Sequence, residues 1–182
     1  MVRQTTKDIL AESFLELAEK KRIDKITISE ITDNCGMSQP TFYNHFKDKY
    51  DLIIWIYVRD AQKIMGKIGQ DGYQWRDTLL DAVEYYASNR SFAINALCHT
   101  SGHESFFELV RRTNVELLAD EVRKKIMTER IPDDIMGMIG VYVNGAVCFV
   151  FEWLVGDMRI APEKVAEILE KSLPEPLKQY LY

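Results

Sequence analysis

Gln39, Thr41, Tyr43, Asn44, His45 and Lys49 crowd one short polar stretch of the chain, and their side chains are of the kinds that recognise a nucleic-acid duplex. A glutamine amide can pair bidentately with adenine in the major groove, and threonine brings a hydroxyl and a methyl that suits thymine's own. Tyrosine, histidine and lysine reach phosphate oxygens, which fixes register without reading sequence. The same stretch also fits a helical hairpin inside any small all-α domain, with NHFKDK as its solvated edge, because short helix-turn-helix patterns recur by accident. Residue types alone leave both readings open.

The neighbouring residues say how such side chains would be held. Thr27 with Glu30 three positions on has the reciprocal pattern of a capping box. Ile28, Ile31 and Cys35 then recur at i, i+3 and i+7, which puts one apolar stripe on an otherwise polar helix. Gly36 stops that helix. Ser38 can cap the next one, and Pro40 is tolerated in its first turn, where a backbone N–H has no intrahelical partner. Phe42 and Phe46, four apart, anchor this second helix, so Gln39, Thr41, Tyr43, Asn44 and His45 are expected to point outwards. The pattern is a helix, a three- to four-residue turn and a second helix.

QPTFYNHFKDKYDL, with the amphipathic segment before it and the long apolar segment after it, resembles the N-terminal domain of the TetR family of transcriptional regulators. The resemblance covers roughly the first third of the chain. It implies an all-α fold with helices at about Thr5 to Lys21, Thr27 to Cys35, Gln39 to Phe46, and Asp48 to about Lys67. It further implies a helix-turn-helix domain over 1–47 and a helical regulatory and dimerisation domain over 48–182, with the helix at about 48–67 connecting them. Position by position, Gln39, Pro40 and Thr41 match base-contacting sites, and Thr27, Tyr43, His45 and Lys49 match backbone-contacting ones. Ser29 stands where some members carry a base-reading arginine. The spacing WLVGDMRIAPEKVAEIL resembles the C-terminal region of a TetR subgroup that includes DhaS-like activators.

Charge alone does not point to DNA. The net charge is −5, yet residues 1–50 are neutral: Arg3, Lys7, Lys20, Lys21, Arg22, Lys25, Lys47 and Lys49 offset as many carboxylates. The acidic excess lies in the rest of the chain, and a neutral reading head can still bind phosphates through placed cations and dimerisation. Cys35, Cys98 and Cys148 are odd in number and never in a C-x-x-C, which argues against a disulfide framework or structural zinc and for a reducing compartment. MVRQTTKD has no apolar signal-like core, so a cytoplasmic protein is expected. The apolar stretch Ile135 to Val155 is long enough to span a bilayer. Asn144 and Glu152 interrupt it without flanking Lys/Arg clusters, so a buried helix and no membrane is the expectation.

That stretch, 133–155, carries two opposed seams at heptad spacing. Ile135, Ile139, Tyr142, Ala146, Phe149 and Trp153 form one; Gly137, Val141, Asn144, Cys148, Phe151 and Val155 form the other. One must face the interior and the other a partner subunit. Small residues favour the Gly137 seam for a homodimer interface, completed by Val165, Ile168 and Leu169 on a last helix opened by Pro162. Tyr86, Phe92, Phe106, Tyr142, Phe149 and Trp153 are candidates for an apolar effector cavity, though aromatics at helical spacing equally make plain core. Cys98, His99, His103 and Glu104 cluster, but Gly102 between the histidines is expected to separate two helices, leaving a capped loop with a buried Cys98 and no metal. With no catalytic constellation, phosphate loop or cofactor signature, an enzyme is not expected. Two readings lead: a repressor on a palindromic operator relieved by a small, largely apolar effector, or an activator of the same fold controlled by a protein partner.

Overall fold

Capping side chains and glycines set most of the helix boundaries in the computed structural model of the chain, which describes residues 4–101, 105–126 and 130–182. α1 (Thr6–Ala18) starts at a capping box between Thr5 and Asp8. A 3-10 turn (Ile23–Lys25) leads to α2 (Ile28–Asn34), whose N-cap Thr27 and Glu30 form the expected box. α2 ends where Gly36 takes a φ of 68°. There the Met37 N–H reaches the Thr32 carbonyl and the Gly36 N–H that of Asp33, a Schellman closure that favours glycine because a Cβ resists the left-handed region.

α3 (Gln39–Tyr43) is capped by Ser38 and is shorter than the Gln39 to Phe46 expected. The His45 N–H turns to the Phe42 carbonyl at 2.9 Å, a tightened i to i−3 bond, and Asp48 accepts the N–H groups of Tyr50 and Asp51 to open α4 (Lys49–Met65). The elements that follow are α5 (Trp75–Ser88), α6 (Arg90–His99), α7 (Phe106–Ile126), α8 (Asp133–Val155), α9 (Pro162–Lys171) and α10 (Glu175–Leu181). No strand occurs among the described residues. The periodicity of the sequence did not single out α10, a short helix with proline in its first turn that buries Leu177 and Leu181.

The chain divides into two compact units. The first joins Met1–Arg59 to Ser91–Phe106, so it takes in the first half of α4 and nearly all of α6. Its core holds Leu10, Phe14, Ile23, Ile31, Phe42, Leu52 and Ile56. Phe92 sits edge-on to Phe14 and to Phe106, and Tyr57 edge-on to Phe106, so α6 closes this core from a distant part of the sequence.

The second unit joins Asp60–Arg90 to Phe107–Tyr182. Within it α5 packs on α9 and α8, and α10 on α8. Val165, Ala166 and Leu169 are the buried face of α9. Val165 and Leu169, expected at a subunit interface, are therefore spent inside the protomer, while Ile168 is half-buried. α8 is long and apolar enough to cross a membrane, but its Ile135, Ile139, Tyr142, Trp153 and Leu154 line this unit's core. The Tyr142 hydroxyl donates to the Leu169 carbonyl at 3.0 Å and burial raises its pKa; the Trp153 indole N–H donates to the Ile160 carbonyl at 2.8 Å.

Candidate nucleic-acid interface

The candidate recognition side chains stand on a helix fixed from beneath. Phe42 is fully buried and Phe46 nearly so; their rings lie 5.7 Å apart, and Phe46 meets Trp55 of α4. With those two facing inwards, Gln39, Pro40, Tyr43, Asn44 and His45 are exposed, Tyr43 to 55%. Thr41 is half-buried, its hydroxyl 2.8 Å from that of Ser38. On α2, Ser29 donates to Asp33 at 3.2 Å, and exposed Thr27 is engaged in its box with Glu30. Lys7 of α1 lies over the rings of Phe46 and Trp55 at 5.3 and 5.8 Å, and Arg59 over Trp55 at 4.9 Å while pairing with Asp8 at 3.1 Å. These cation–π contacts and the ion pair tie α1 to α4 around the base of α3.

Lys49 departs from expectation. Its ammonium does not face solvent for a phosphate; it donates to the carbonyl oxygens of Ile23 (2.8 Å), Asp24 (2.9 Å) and Ile26 (2.8 Å). Lysine carries three N–H donors, and all three are used. Burial lowers its pKa, as desolvation of an ammonium must. Lys47, exposed a few residues past the end of α3, is a cation that stays available, in no ion pair among the described residues. NHFKDK holds both lysines two apart, and nothing local in the sequence tells which one folds back.

Glu30 couples the α2 cap to charge. Its carboxylate pairs with Lys21 at 2.5 Å and accepts from the Thr27 N–H at 2.9 Å, and with Lys21 as the larger cause its pKa falls from 4.5 to about 2. A depressed folded value means the contribution is present above about pH 4.5 and is lost as pH falls through about 2. The Thr27 amide resonance should therefore move with a midpoint near pH 2 and should stay flat in Glu30→Gln. A midpoint at the ordinary carboxylate value would show that the box does not hold in solution.

Past its first turn, α8 is exposed at Gly137, Val141, Asn144, Gly145, Cys148, Glu152 and Val155, with Val141 at 77% and Val155 at 58%. This is the Gly137 seam except for Phe151, which is buried against Tyr86 and Phe107. A straight α-helix drifts about 20° per heptad from a 3.5-residue repeat, so two heptads beyond Gly137 the position has turned by roughly 40° towards the core. The opposite seam is buried at Ile135, Ile139, Tyr142 and Trp153 and half-buried at Phe149. Of the candidate cavity residues, Phe92 and Phe106 close the core of the first unit, while Tyr86, Tyr142, Phe149 and Trp153 belong to the second. Cys98 is exposed rather than buried, because it lies on the face of α6 opposite Ala93 and Ala96. Gly102, His103 and Glu104 lie outside the described residues.

Comparison with known proteins accords with this geometry. Residues 14–54 match the family model described as bacterial regulatory proteins, tetR family, and residues 73–175 match one described as a transcriptional regulator C-terminal region. The dhaKLM operon transcriptional activator DhaS of Lactococcus lactis subsp. lactis is 26% identical over 121 residues, a stretch that spans 65% of this chain and 64% of that relative's own length. Among solved structures, the dihydroxyacetone kinase operon activator DhaS superposes with a TM-score of 0.69 at 19% identity, covering 97% of this chain and 98% of that one. FadR from Bacillus subtilis, in complex with stearoyl-CoA, superposes at 0.56 with 14% identity over 91% of this chain and 96% of its own.

Proposed function

The chain belongs to the TetR family of DNA-binding transcriptional regulators, and we propose that it works in the cytoplasm as a homodimer that reads a palindromic operator through α3. The observation that carries this is the division of α3 itself: Phe42 fully buried beneath, Gln39, Tyr43, Asn44 and His45 exposed above. Selection from a random duplex library tests it. The expected product is an inverted repeat with half-sites about 34–36 Å apart or somewhat more, and recovery of unrelated sequences would sink the reading.

Support for the dimer comes from a cost that one protomer leaves unexplained. Glycine in a helix interior loses roughly 0.5–1 kcal/mol relative to alanine, and α8 carries Gly137, Gly140 and Gly145. A Cβ added at any of the three would meet open space within the protomer, so nothing inside it requires glycine there. Close approach of a second helix would. The exposed Val141 and Val155 on the same side agree, since an uncovered apolar strip favours association.

Two schemes of control have separate support. Repression relieved by a small, largely apolar effector draws on FadR, which holds stearoyl-CoA in its structure, and on Tyr86, Tyr142 and Trp153 together in the second unit. The alternative, activation under a protein co-regulator, takes its sign from the relative and the structure described as operon activators. Transcription reconstituted with RNA polymerase on the selected operator separates them. Fewer transcripts on adding the protein alone mean repression; more transcripts, with the protein alone or once a cell extract supplies the co-regulator, mean activation.

A further inference from the structure

α1 ends at Ala18, yet its C-terminal carbonyls are not left to water. The Asn95 side chain of α6 donates to the carbonyl oxygens of Ala18 and Lys21, both at 2.8 Å, and accepts the Ile23 N–H at 3.0 Å. Both amide hydrogens and the carbonyl oxygen of Asn95 are thus engaged with the connection between α1 and α2. Lys49 of α4 holds the next part of the same connection through the carbonyls of Ile23, Asp24 and Ile26. Six backbone groups of this segment are satisfied by two side chains far away in sequence. Past Lys21 its own backbone contributes short turn bonds, such as Lys25 N–H to the Arg22 carbonyl at 3.0 Å.

The connection runs straight into Thr27, the N-cap of α2, and α2 packs on α3. Lys21, one of the residues Asn95 grips, also pairs with Glu30 on α2 at 2.5 Å. A displacement of α6 relative to α1 would break the three Asn95 bonds together, because an amide cannot keep its planar donor and acceptor set on partners that move apart. Resting on the operator-binding reading above, we infer that Asn95, with Lys49, is a positioning residue for DNA recognition: it sets the connection, α2 and hence α3 in the reading arrangement without touching DNA. α6 is on this account a working part of the reading head.

The test uses the full-length protein with Asn95→Leu, close in volume but without hydrogen bonds, Asn95→Asp, which keeps the acceptor alone, and Lys49→Met. Operator affinity should fall about tenfold or more in each, as expected when part-buried polar groups lose their partners. Affinity for unrelated duplex should stay nearly unchanged, and so should the slope of log K against log salt. A phosphate-contacting Lys49 would instead flatten that slope by about one. Variants that only melt earlier, with wild-type operator affinity at a temperature where they are folded, would overturn the inference. If the variants do not fold, the wild type decides: the Ile23 amide should exchange slowly and slow further on the operator, and fast exchange in both states overturns it. Failure of the wild type to select any operator would instead sink the reading on which this one stands.

Discussion

Val141→Asp is expected to convert the protein into a monomer and to remove most of its operator affinity. Val141 is 77% exposed at the middle of the α8 strip, so the substitution leaves the protomer's own core untouched. In a two-fold interface built on this strip each copy would place a carboxylate against an apolar face, and burying an unpaired charge there is strongly unfavourable. Sedimentation at micromolar concentration should give 21.2 kDa instead of twice that value. Operator binding should weaken on the order of 10²–10⁴-fold, because the second reading head no longer shares the first one's encounter with DNA. Gly145→Ala sharpens the test. It should raise the helix's intrinsic stability by up to about 1 kcal/mol while loosening the dimer, opposite signs that only an intersubunit role for the glycine gives. A Val141→Asp protein that still sediments as a dimer removes this interface; dissociation on Phe149→Asp alone would move it to the other seam.

The parts of this molecule that were legible in the sequence are those decided locally. Thr27 with Glu30, Gly36 and Ser38 each act within a turn of where they stand, and the structure ends and caps α2 and α3 at those residues. The alternation that buries Phe42 and Phe46 and frees Tyr43 is local for the same reason. What the sequence hid was set by distant partners. The end of α1 is fixed by Asn95 from α6, and Lys49 is drawn back by carbonyls some two dozen residues earlier. Phe151 left the seam it was placed in because a straight helix does not hold a seven-residue repeat. Val165 and Leu169 fit an interface by spacing and yet are buried within the protomer, because an amphipathic face looks the same whether its partner is α5 of the same chain or a second chain. Among the aromatic candidates for a cavity, spacing identifies buried positions but not which core buries them, and Phe92 and Phe106 lie in a different unit from Tyr142 and Trp153.

Specificity and affinity should separate along α3. Gln39 is exposed at the first position of the helix, the end that the proposed docking would present to a major groove, so Gln39→Ala should change which base is preferred at one position of each half-site. The expected discrimination lost is about 1–3 kcal/mol per base contact, roughly five- to a hundred-fold in relative affinity. Lys47→Ala should behave differently. Its charge lies just past the helix with no protein ion pair among the described residues, so its loss should weaken all duplexes alike and reduce the salt slope by about one. Tyr43→Phe, which removes a single exposed hydroxyl, should also leave the preferred sequence unchanged. Competition binding of each variant against an operator series substituted one base pair at a time, repeated across salt, measures both quantities. Suppose Gln39→Ala kept the wild-type order of preference and Lys47→Ala altered it. The groove-facing and backbone-facing sides of α3 would then be exchanged, and the helix would have to enter DNA by a different edge from the one its buried phenylalanines define.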